Sequence, residues 1–293
     1  MNLRQIEVFR AVMLTGSVTD AARLLHVSQP GISRMLGHIE LQLGLQLFER
    51  TPGRLRPTPE AQSLYSEVDL VYQGVQRIER RAQDLKSGAG LSLRVLASPS
   101  TALEVVPQAI SALTARFPTA RIYMETQLVR EMVAQLVRHE ADIAVSTLPV
   151  DHPLLSAQGV GHWSFACVFR PDHALAARKR ITLQELRDER LIAFSPDTPQ
   201  GQLIARHWQD KGLQPHAQIE VRSGQVACSL AACGAGVAIV DALTARAWNG
   251  QKLSHRPLRA APTHPVQVLR PANEPPSALA RAFIAEVRKA FAP

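Results

Sequence analysis

The stretch Phe9–Glu40 reads FRAVMLTGSVTDAARLLHVSQPGISRMLGHIE and decides how the start of the chain folds. Apolar residues recur at helical spacing up to Gly16, where a first helix must end. Ser17 is suited to cap a short second helix, and Ser28 to cap a third helix that tolerates Pro30 in its first turn. Two helices joined by so tight a turn predict a helix-turn-helix unit.

The third helix has two distinct faces. Its buried face is defined by four residues that step by four, three and four positions, namely Ile32, Leu36, Ile39 and Leu43. Gln29, Ser33 and Arg34 lie on the opposite face near the helix N-terminus. Gln and Arg side chains read adenine and guanine edges, and this end of the second helix of the pair is the part that touches bases. A helical hairpin with a merely solvated polar face is the alternative.

The segment ERTPGRLRPT follows, over residues 49–58. Arg50, Arg54 and Arg56 flank a Thr-Pro-Gly turn with no acidic residue between them. Three arginines on a hairpin suit phosphate contacts or a narrow minor groove, so we expect a basic wing beside the helix pair. A charged surface turn is the alternative.

A long helix is predicted to begin at Thr58, as N-cap, and Pro59. Its apolar residues keep a 3.5-residue period, at Ala61, Leu64, Val68, Val71, Val75, Ile78, Ala82 and Leu85. So narrow and sustained a seam favours a two-helix coiled coil and therefore a dimer. Packing within the same chain is the alternative.

Beyond a small-residue hinge at Lys86–Gly90, strand and helix patterns alternate as βαβαβ and then restart at WSFACVF. This order predicts two α/β lobes with parallel strands and a ligand cleft at the carboxyl ends of those strands. The fold class is therefore an α+β multidomain chain: an all-α winged helix-turn-helix plus linker helix, then a two-lobed α/β domain. The predicted boundaries are 1–58, 59–88 and 89–293, with lobe I at about 91–161 and 268–293 and lobe II at about 162–267.

Small polar residues follow the predicted strands of both lobes, where hydroxyls and backbone N–H groups favour an anion. They are Ser98, Ser100, Thr101, Gln127 and Thr147 in lobe I, and Ser195, Pro196, Thr198 and Gln200 in lobe II. We expect Ser98, Ser100 and Thr101 to begin a helix. For any one of these residues, ordinary capping or turn chemistry is the alternative.

Composition narrows the function classes. The net charge of +8 favours an anionic partner, nucleic acid first, although residues 1–90 carry only +2 (11 basic, 9 acidic). The N-terminus lacks a signal-peptide pattern, and the most apolar window, Val226–Val240, is too short and glycine-broken to span a bilayer. Three cysteines form no disulfide framework, so we expect a cytoplasmic protein in which Cys167, Cys228 and Cys233 are buried.

The sequence gives little support for an enzymatic function. No GxSxG, HExxH, Walker loop or Cys/His metal spacing occurs in the sequence. We therefore expect no enzyme activity, no metal and no cofactor. A small-molecule binding protein or enzyme, whose N-terminal helices serve only oligomerisation, remains the alternative function.

Over its whole length the chain resembles the LysR-type transcriptional regulators. The blocks that carry the resemblance are Phe9–Glu40, LGLQLFERTPGRLRPTPEA at 43–61, DIAVS at 142–146 and GAGVAIV at 234–240. The resemblance implies a dimer and usually a tetramer, a periplasmic-binding-protein-like sensor, and transcription switched by a small molecule. It also implies contact with RNA polymerase and with a pseudo-palindromic promoter site on double-stranded DNA.

By position, the resemblance assigns specific residues to each site. The DNA contacts would be Gln29, Pro30, Ser33, Arg34, Arg50 and Arg54, and the effector contacts would be the nine strand-end residues named above. Gly31 replaces the usual alanine of the recognition helix, which costs about 1 kcal/mol of helix propensity. Segments 146–153 and 194–203 resemble the branch that senses amino acids or opine-like conjugates, so the effector would be an amino acid or related anion.

Overall fold

A computed structural model describes residues 1–51, 54–86, 92–213, 217–250 and 252–292, and the chain divides into two compact units, Met1–Lys86 and Ser87–Pro293. The described part of the first unit contains four helices and a hairpin: α1 Leu3–Thr15, α2 Val18–Leu24, α3 Gln29–Leu43, β1 Phe48–Thr51, β2 Arg54–Pro57 and α4 Pro59–Lys86. This order confirms the winged helix-turn-helix with its following helix. Pro52 and Gly53 of the expected turn, and residues 87–90 of the expected hinge, lie outside the described residues.

Local capping explains where these helices begin and end. Gly16 ends α1 in the left-handed conformation, and the Ser17 hydroxyl accepts the Asp20 amide at 3.3 Å to cap α2. The expectation for Ser28 is wrong in part. This residue occupies the N-cap position of α3, but its side chain makes no capping bond among the described residues.

The core of the first unit lies between the three short helices. Phe9, Ile32 and Ile39 are fully or almost fully buried, as is Ala21, and the Phe9 ring packs on Phe48 with centroids 5.8 Å apart. The small side chain of Ala21 lets α2 lie close to its neighbours.

The apolar seam of α4 divides into two parts. Ala61 and Val68 are buried in the core of their own unit, and Leu64 packs against that core. The first part of the seam therefore packs within the same chain, as the alternative interpretation predicted. Arg10 of α1 fixes this part further, through an ion pair to Asp69 at 2.7 Å. Val71 and Ile78, by contrast, are 50% and 71% exposed. The side chain of Leu85 lies outside the described residues.

The residues that the structure describes in the second unit form two five-stranded sheets. The first is ordered β4-β3-β5-β12-β6 and forms lobe I with three helices. Its elements are β3 Ser92–Ala97, α5 Val105–Arg116, β4 Arg121–Thr126, α6 Val129–Val137, β5 Ile143–Ser146, β6 Leu155–Trp163, β12 His264–Pro271 and α10 Ala278–Lys289. Strands β4, β3 and β5 are parallel, whereas β12 and β6 are antiparallel to their neighbours.

Lobe II has the sheet order β11-β7-β10-β8-β9, in which β10, β8 and β9 are parallel. Its elements are β7 Phe165–Phe169, two 3-10 helices Ala174–Ala177 and Gln184–Leu186, β8 Leu191–Phe194, α7 Pro199–Gln209, β9 Ala217–Val221, α8 Gly224–Ala232, β10 Val237–Asp241, α9 Ala242–Ala247 and β11 Ser254–Pro257. The chain crosses between sheets at 163–165 and 258–264, a few residues from the expected positions. Within the described residues, no helix combines the length and apolar character that crossing a bilayer requires.

Candidate functional sites

The N-terminal end of α3 presents a polar face to solvent. Gln29, Pro30 and Arg34 are exposed and Ser33 is half-buried, while Ile32 and Leu36 of the same helix are buried. The Arg34 side chain makes one long bond to the Pro30 carbonyl, at 3.4 Å, and is otherwise positioned on the surface. This face therefore offers one amide, one hydroxyl and one guanidinium for contacts outside the chain.

The hairpin is fixed to α3 by a residue that the sequence analysis missed. Glu40 accepts the backbone N–H groups of Leu47, at 2.8 Å, and Phe48, at 3.1 Å, where the chain enters β1. The hairpin register pairs Arg50 with Leu55, and the side chains of Arg50 and Arg54 lie outside the described residues. Glu40 is part of the quoted helix stretch, but only the folded hairpin shows what it binds.

The lobe I cluster lies at the carboxyl ends of β3 and β5. Ser98 Oγ accepts the Thr147 amide at 3.1 Å, and Thr101 Oγ donates to the Ser98 carbonyl at 3.1 Å, so these three residues are brought together as expected. The expectation that they begin a helix is wrong. Residues 99–104 form turns and α5 begins only at Val105. The hydroxyls have other partners than the first amides of a helix: Thr101 donates back to the Ser98 carbonyl, and Ser98 accepts the Thr147 amide.

Gln127 stands beside this cluster. Its backbone amide donates to the Ala97 carbonyl at 3.0 Å, while its side chain donates to Glu125 at 2.7 Å. The Trp163 indole donates to the Thr147 carbonyl at 2.8 Å, so Thr147 is held from the crossover between the lobes as well as by Ser98. Trp163 was not among the expected site residues.

In lobe II the residues 195–198 form a turn before α7, and Gln200 lies in the first turn of that helix. Thr198 is buried and caps the helix through the Gly201 amide at 3.0 Å. A Cβ atom at Gly201 would lie 2.0 Å from the Ser195 carbonyl oxygen, so the turn requires glycine there. Pro196 is exposed and Gln200 is half-buried. The Thr198 hydroxyl therefore has a structural role as the N-cap of α7.

Charged residues that the sequence analysis left out surround this turn. Asp197 pairs with Arg222, and the Ser195 hydroxyl lies between Asp197 and Glu220, at 3.0 Å from the Glu220 carboxylate. The Ser195 hydroxyl and the Arg222 guanidinium lower the pKa of Asp197 below its ordinary value. Arg222 follows β9, so a basic residue lies beside this strand-end cluster.

The two lobes meet at the turn that follows β3. Burial raises the pKa of Asp241, which ends β10 in lobe II, while the hydrogen bonds from Thr244 and the Ser100 hydroxyl of lobe I oppose the shift. Glu104, in the same turn as Ser100, lies 3.4 Å from the guanidinium of Arg246 in α9. Because β3 and β10 are both parallel strands of their sheets, these contacts bring the carboxyl edges of the two sheets together.

The described residues contain no group of three or more His, Cys, Asp or Glu side chains placed to hold a metal ion. Cys167 and Cys228 are buried as expected, and burial raises the pKa of Cys228 to about 12. The expectation for Cys233 is wrong, because the helix α8 ends there and leaves its side chain exposed.

Comparison with known proteins covers both units. Residues 3–62 match the family model described as bacterial regulatory helix-turn-helix protein, lysR family, and residues 86–292 match the LysR substrate binding domain. The regulatory protein NocR of Agrobacterium fabrum is 33% identical over 98% of this chain and 96% of its own. The transcriptional activator protein LysR of Escherichia coli is 33% identical over 97% and 91%.

A solved structure shares the whole fold. It is full-length CbnR complexed with its target DNA, with a TM-score of 0.74, 21% identity and 99% coverage of both chains. At this identity the likeness concerns the fold alone.

Proposed function

Because the chain belongs to the LysR family of DNA-binding transcriptional regulators with an effector-binding domain, we propose that the exposed face of α3 reads its operator. Gln29, Ser33 and Arg34 would enter the major groove, with Pro30 against the backbone. Arg50 and Arg54 of the hairpin would contact phosphates or the adjacent minor groove. The single observation that carries this proposal is the division of α3 into a buried apolar face and an exposed polar one.

The second part of α4 supports a dimer. Val71 and Ile78 are apolar, exposed and in the seam register, and a second copy of this helix would bury them. Two recognition helices related by a two-fold axis match half-sites about 34 Å apart on one face of a pseudo-palindromic duplex. We further propose that dimers pair into a tetramer, which contacts RNA polymerase at the promoter and acts in the cytoplasm where the DNA is.

We place the effector, an amino acid or related anion, between the lobes of the second unit. The lobe I hydroxyls and the segment 195–200 follow strand ends, where such sheets bind ligands. The proposed contacts are Ser98, Ser100, Thr101, Gln127, Thr147, Ser195, Pro196, Thr198 and Gln200. Effector binding would change the lobe angle and shift the α4 helices, so that DNA affinity and effector affinity are coupled reciprocally.

A gel-shift titration tests the regulator function. The full chain should bind DNA from upstream of its own gene, and the affinity should fall steeply as salt rises. The absence of salt-sensitive binding to any palindromic site would contradict the proposal.

A substitution in the cleft tests the effector site. Ser100→Phe should abolish effector-dependent changes in DNA binding while leaving basal binding intact, because the added ring fills the cleft. Ser111→Phe, on the exposed side of α5, is the matched control. An unchanged effector response in the Ser100 variant would show that the effector binds elsewhere.

A further inference from the structure

A basic surface lies along β11, the edge strand of the lobe II sheet. Residues 178–180 read Arg-Lys-Arg and residues 256–259 read Arg-Pro-Leu-Arg, so the two segments contain five cations and no carboxylate. The backbone pairs them side by side: the Ile181 amide donates to the Pro257 carbonyl at 3.0 Å, and the Arg259 amide donates to the Ile181 carbonyl at 2.7 Å. We call these two segments the lobe II basic surface.

Arg256 joins the two segments. Its guanidinium donates to the carbonyl groups of Arg178, at 2.5 Å, and Ala176, at 2.6 Å. These acceptors are uncharged, so the positive charge of Arg256 is retained. Ile181 and Leu258 are buried in the core of the second unit, and they fix both segments from beneath. The surface is therefore a defined part of the fold.

The other four cations of this surface are exposed to solvent. Arg178 forms an ion pair with Glu185 at 2.8 Å, and its side chain is still 61% exposed. Among the residues that the structure describes, no carboxylate oxygen lies within 4.0 Å of the side-chain nitrogens of Lys179, Arg180 or Arg259. Like charges held side by side in paired segments repel each other. An anionic partner would remove that repulsion.

Most of the positive charge of the chain belongs to the second unit. Residues 1–90 have a net charge of +2, whereas residues 91–293 have 22 basic and 16 acidic residues and a net charge of +6. Phosphate contacts supply nearly all of the affinity of non-specific DNA binding and a large part of that of specific binding. Because the first unit has so small an excess of cations, cations of the second unit would add substantially to the affinity for DNA.

We propose that the lobe II basic surface is a second DNA-contacting surface, which binds the phosphate backbone of the duplex beside the operator. Lys179, Arg180 and Arg259 pair with phosphates, while Arg256 keeps the two segments together. A duplex matches this surface better than a small anion does, because cations spread over two segments face the repeated charges of a phosphate backbone. The inference rests on the proposed function, since it requires the first unit to hold the operator.

An acidic protein surface is the competing partner. The covalent link between the two units favours DNA. Once α3 holds the operator, contact of the second unit with the same duplex is intramolecular, and the effective concentration is about millimolar for a short linker. A separate protein must bind from solution, and exposed ion pairs each contribute little to such an association.

The experiment uses the full chain and two duplexes that contain the same operator. One duplex ends at the boundaries of the operator, and the other extends it by about two helical turns of unrelated sequence on each side. Gel-shift titrations at several salt concentrations give Kd and the slope of log Kd against log salt. Wild type should bind the extended duplex more tightly and with the steeper slope, because more phosphates are neutralised.

A triple variant with Lys179→Gln, Arg180→Gln and Arg259→Gln removes three charges and leaves Arg256 in place. On the extended duplex, Kd should rise at least about tenfold and the slope should fall by about 2 to 3, since each lost phosphate contact lowers it by about 0.9. On the short duplex the variant should match wild type. Lys179→Gln alone should lower the slope on the extended duplex by about 1.

The matched control removes the same amount of charge elsewhere in the second unit. It carries Arg121→Gln, Lys211→Gln and Arg288→Gln, at exposed cations outside the lobe II basic surface, and should retain the wild-type values on both duplexes. Thermal melting checks that both triple variants are folded.

Three results on DNA would overturn the inference: equal binding of the two duplexes by wild type, equal behaviour of the two triple variants, or an equal loss by the first triple variant on both duplexes. Wild-type DNA binding by that variant together with a loss of RNA polymerase recruitment would also overturn it, and would assign the surface to an acidic protein. Failure of wild type to bind either duplex would instead contradict the proposed function.

Discussion

The two candidate sites of this protein are built in opposite ways. The proposed DNA contacts on α3 project from one helix into solvent, and among the described residues the Arg34 side chain bonds only to a carbonyl of its own helix. The proposed effector contacts Ser98, Thr101 and Thr147 are buried and bonded to one another across two strands. A site for a large, rigid polyanion can be left open on a surface, whereas a site for a small molecule must be enclosed on several sides. The first therefore depends on one helix, and the second on the whole second unit.

The largest effect on stability is expected from a substitution in the core that lies beneath the exposed face of α3. Phe9→Ala should destabilise the first unit by about 3–5 kcal/mol, because Phe9 is fully buried and packs on Phe48. Denaturant unfolding should show the loss, and DNA binding should weaken with it. Leu41→Ala, at a side chain 81% exposed, is the control and should stay close to wild type. Equal stability of the two variants would contradict the packing described for this unit.

The enclosed site should be sensitive to a single added methyl group. Gly201→Ala should lower the stability of the second unit by about 1–3 kcal/mol, since the new Cβ collides with the Ser195 carbonyl. Effector-induced stabilisation should be lost while DNA binding is kept. The matched control is Gly159→Ala in β6, where nothing lies within 4 Å of the added atom. If the stability and the effector response of the Gly201 variant matched those of the Gly159 variant, the backbone at Ser195 would be able to move away from the added methyl group.

A substitution on the exposed face of α3 should reduce the sequence specificity of DNA binding and leave the folding of the unit unchanged. Arg34→Ala should weaken operator binding by about ten- to a hundredfold, with a much smaller loss on unrelated DNA, because a base contact is removed. Gel shifts on both DNAs measure the ratio. Arg23→Ala in α2 removes an exposed arginine paired with Asp20 and is the control. Equal losses on both DNAs would make Arg34 a phosphate contact.

The smallest expected effect concerns the cysteines. Cys233 should react with a thiol reagent in the folded chain, while Cys228, whose pKa burial raises to about 12, and the buried Cys167 should not. Mass spectrometry of the labelled chain should show one modification. Cys233→Ser should change stability by no more than about 0.5 kcal/mol. Labelling of all three thiols without denaturant would contradict the packing of the second unit.

Much of the architecture could be predicted from periodicity alone. A strand that reads as a continuous apolar run, such as Phe165–Phe169, can be predicted from its residues. The strands β6 and β11 could not be predicted in this way, because their residues are mixed and their pairing comes from distant parts of the chain. The α4 seam was read correctly as a period, but the period could not show that Ala61 and Val68 pack on their own unit.

The sequence by itself determined which face of α3 is polar, because helix geometry fixes the side of every residue from its position along the chain. It also determined that polar groups follow the strands. Only the tertiary structure decided which partners the polar groups have: Thr101 the Ser98 carbonyl, Glu40 the hairpin, and Ser98 the amide of Thr147, 49 positions further along. Contacts of that kind depend on how sheets stack and lobes meet, and no local pattern encodes them.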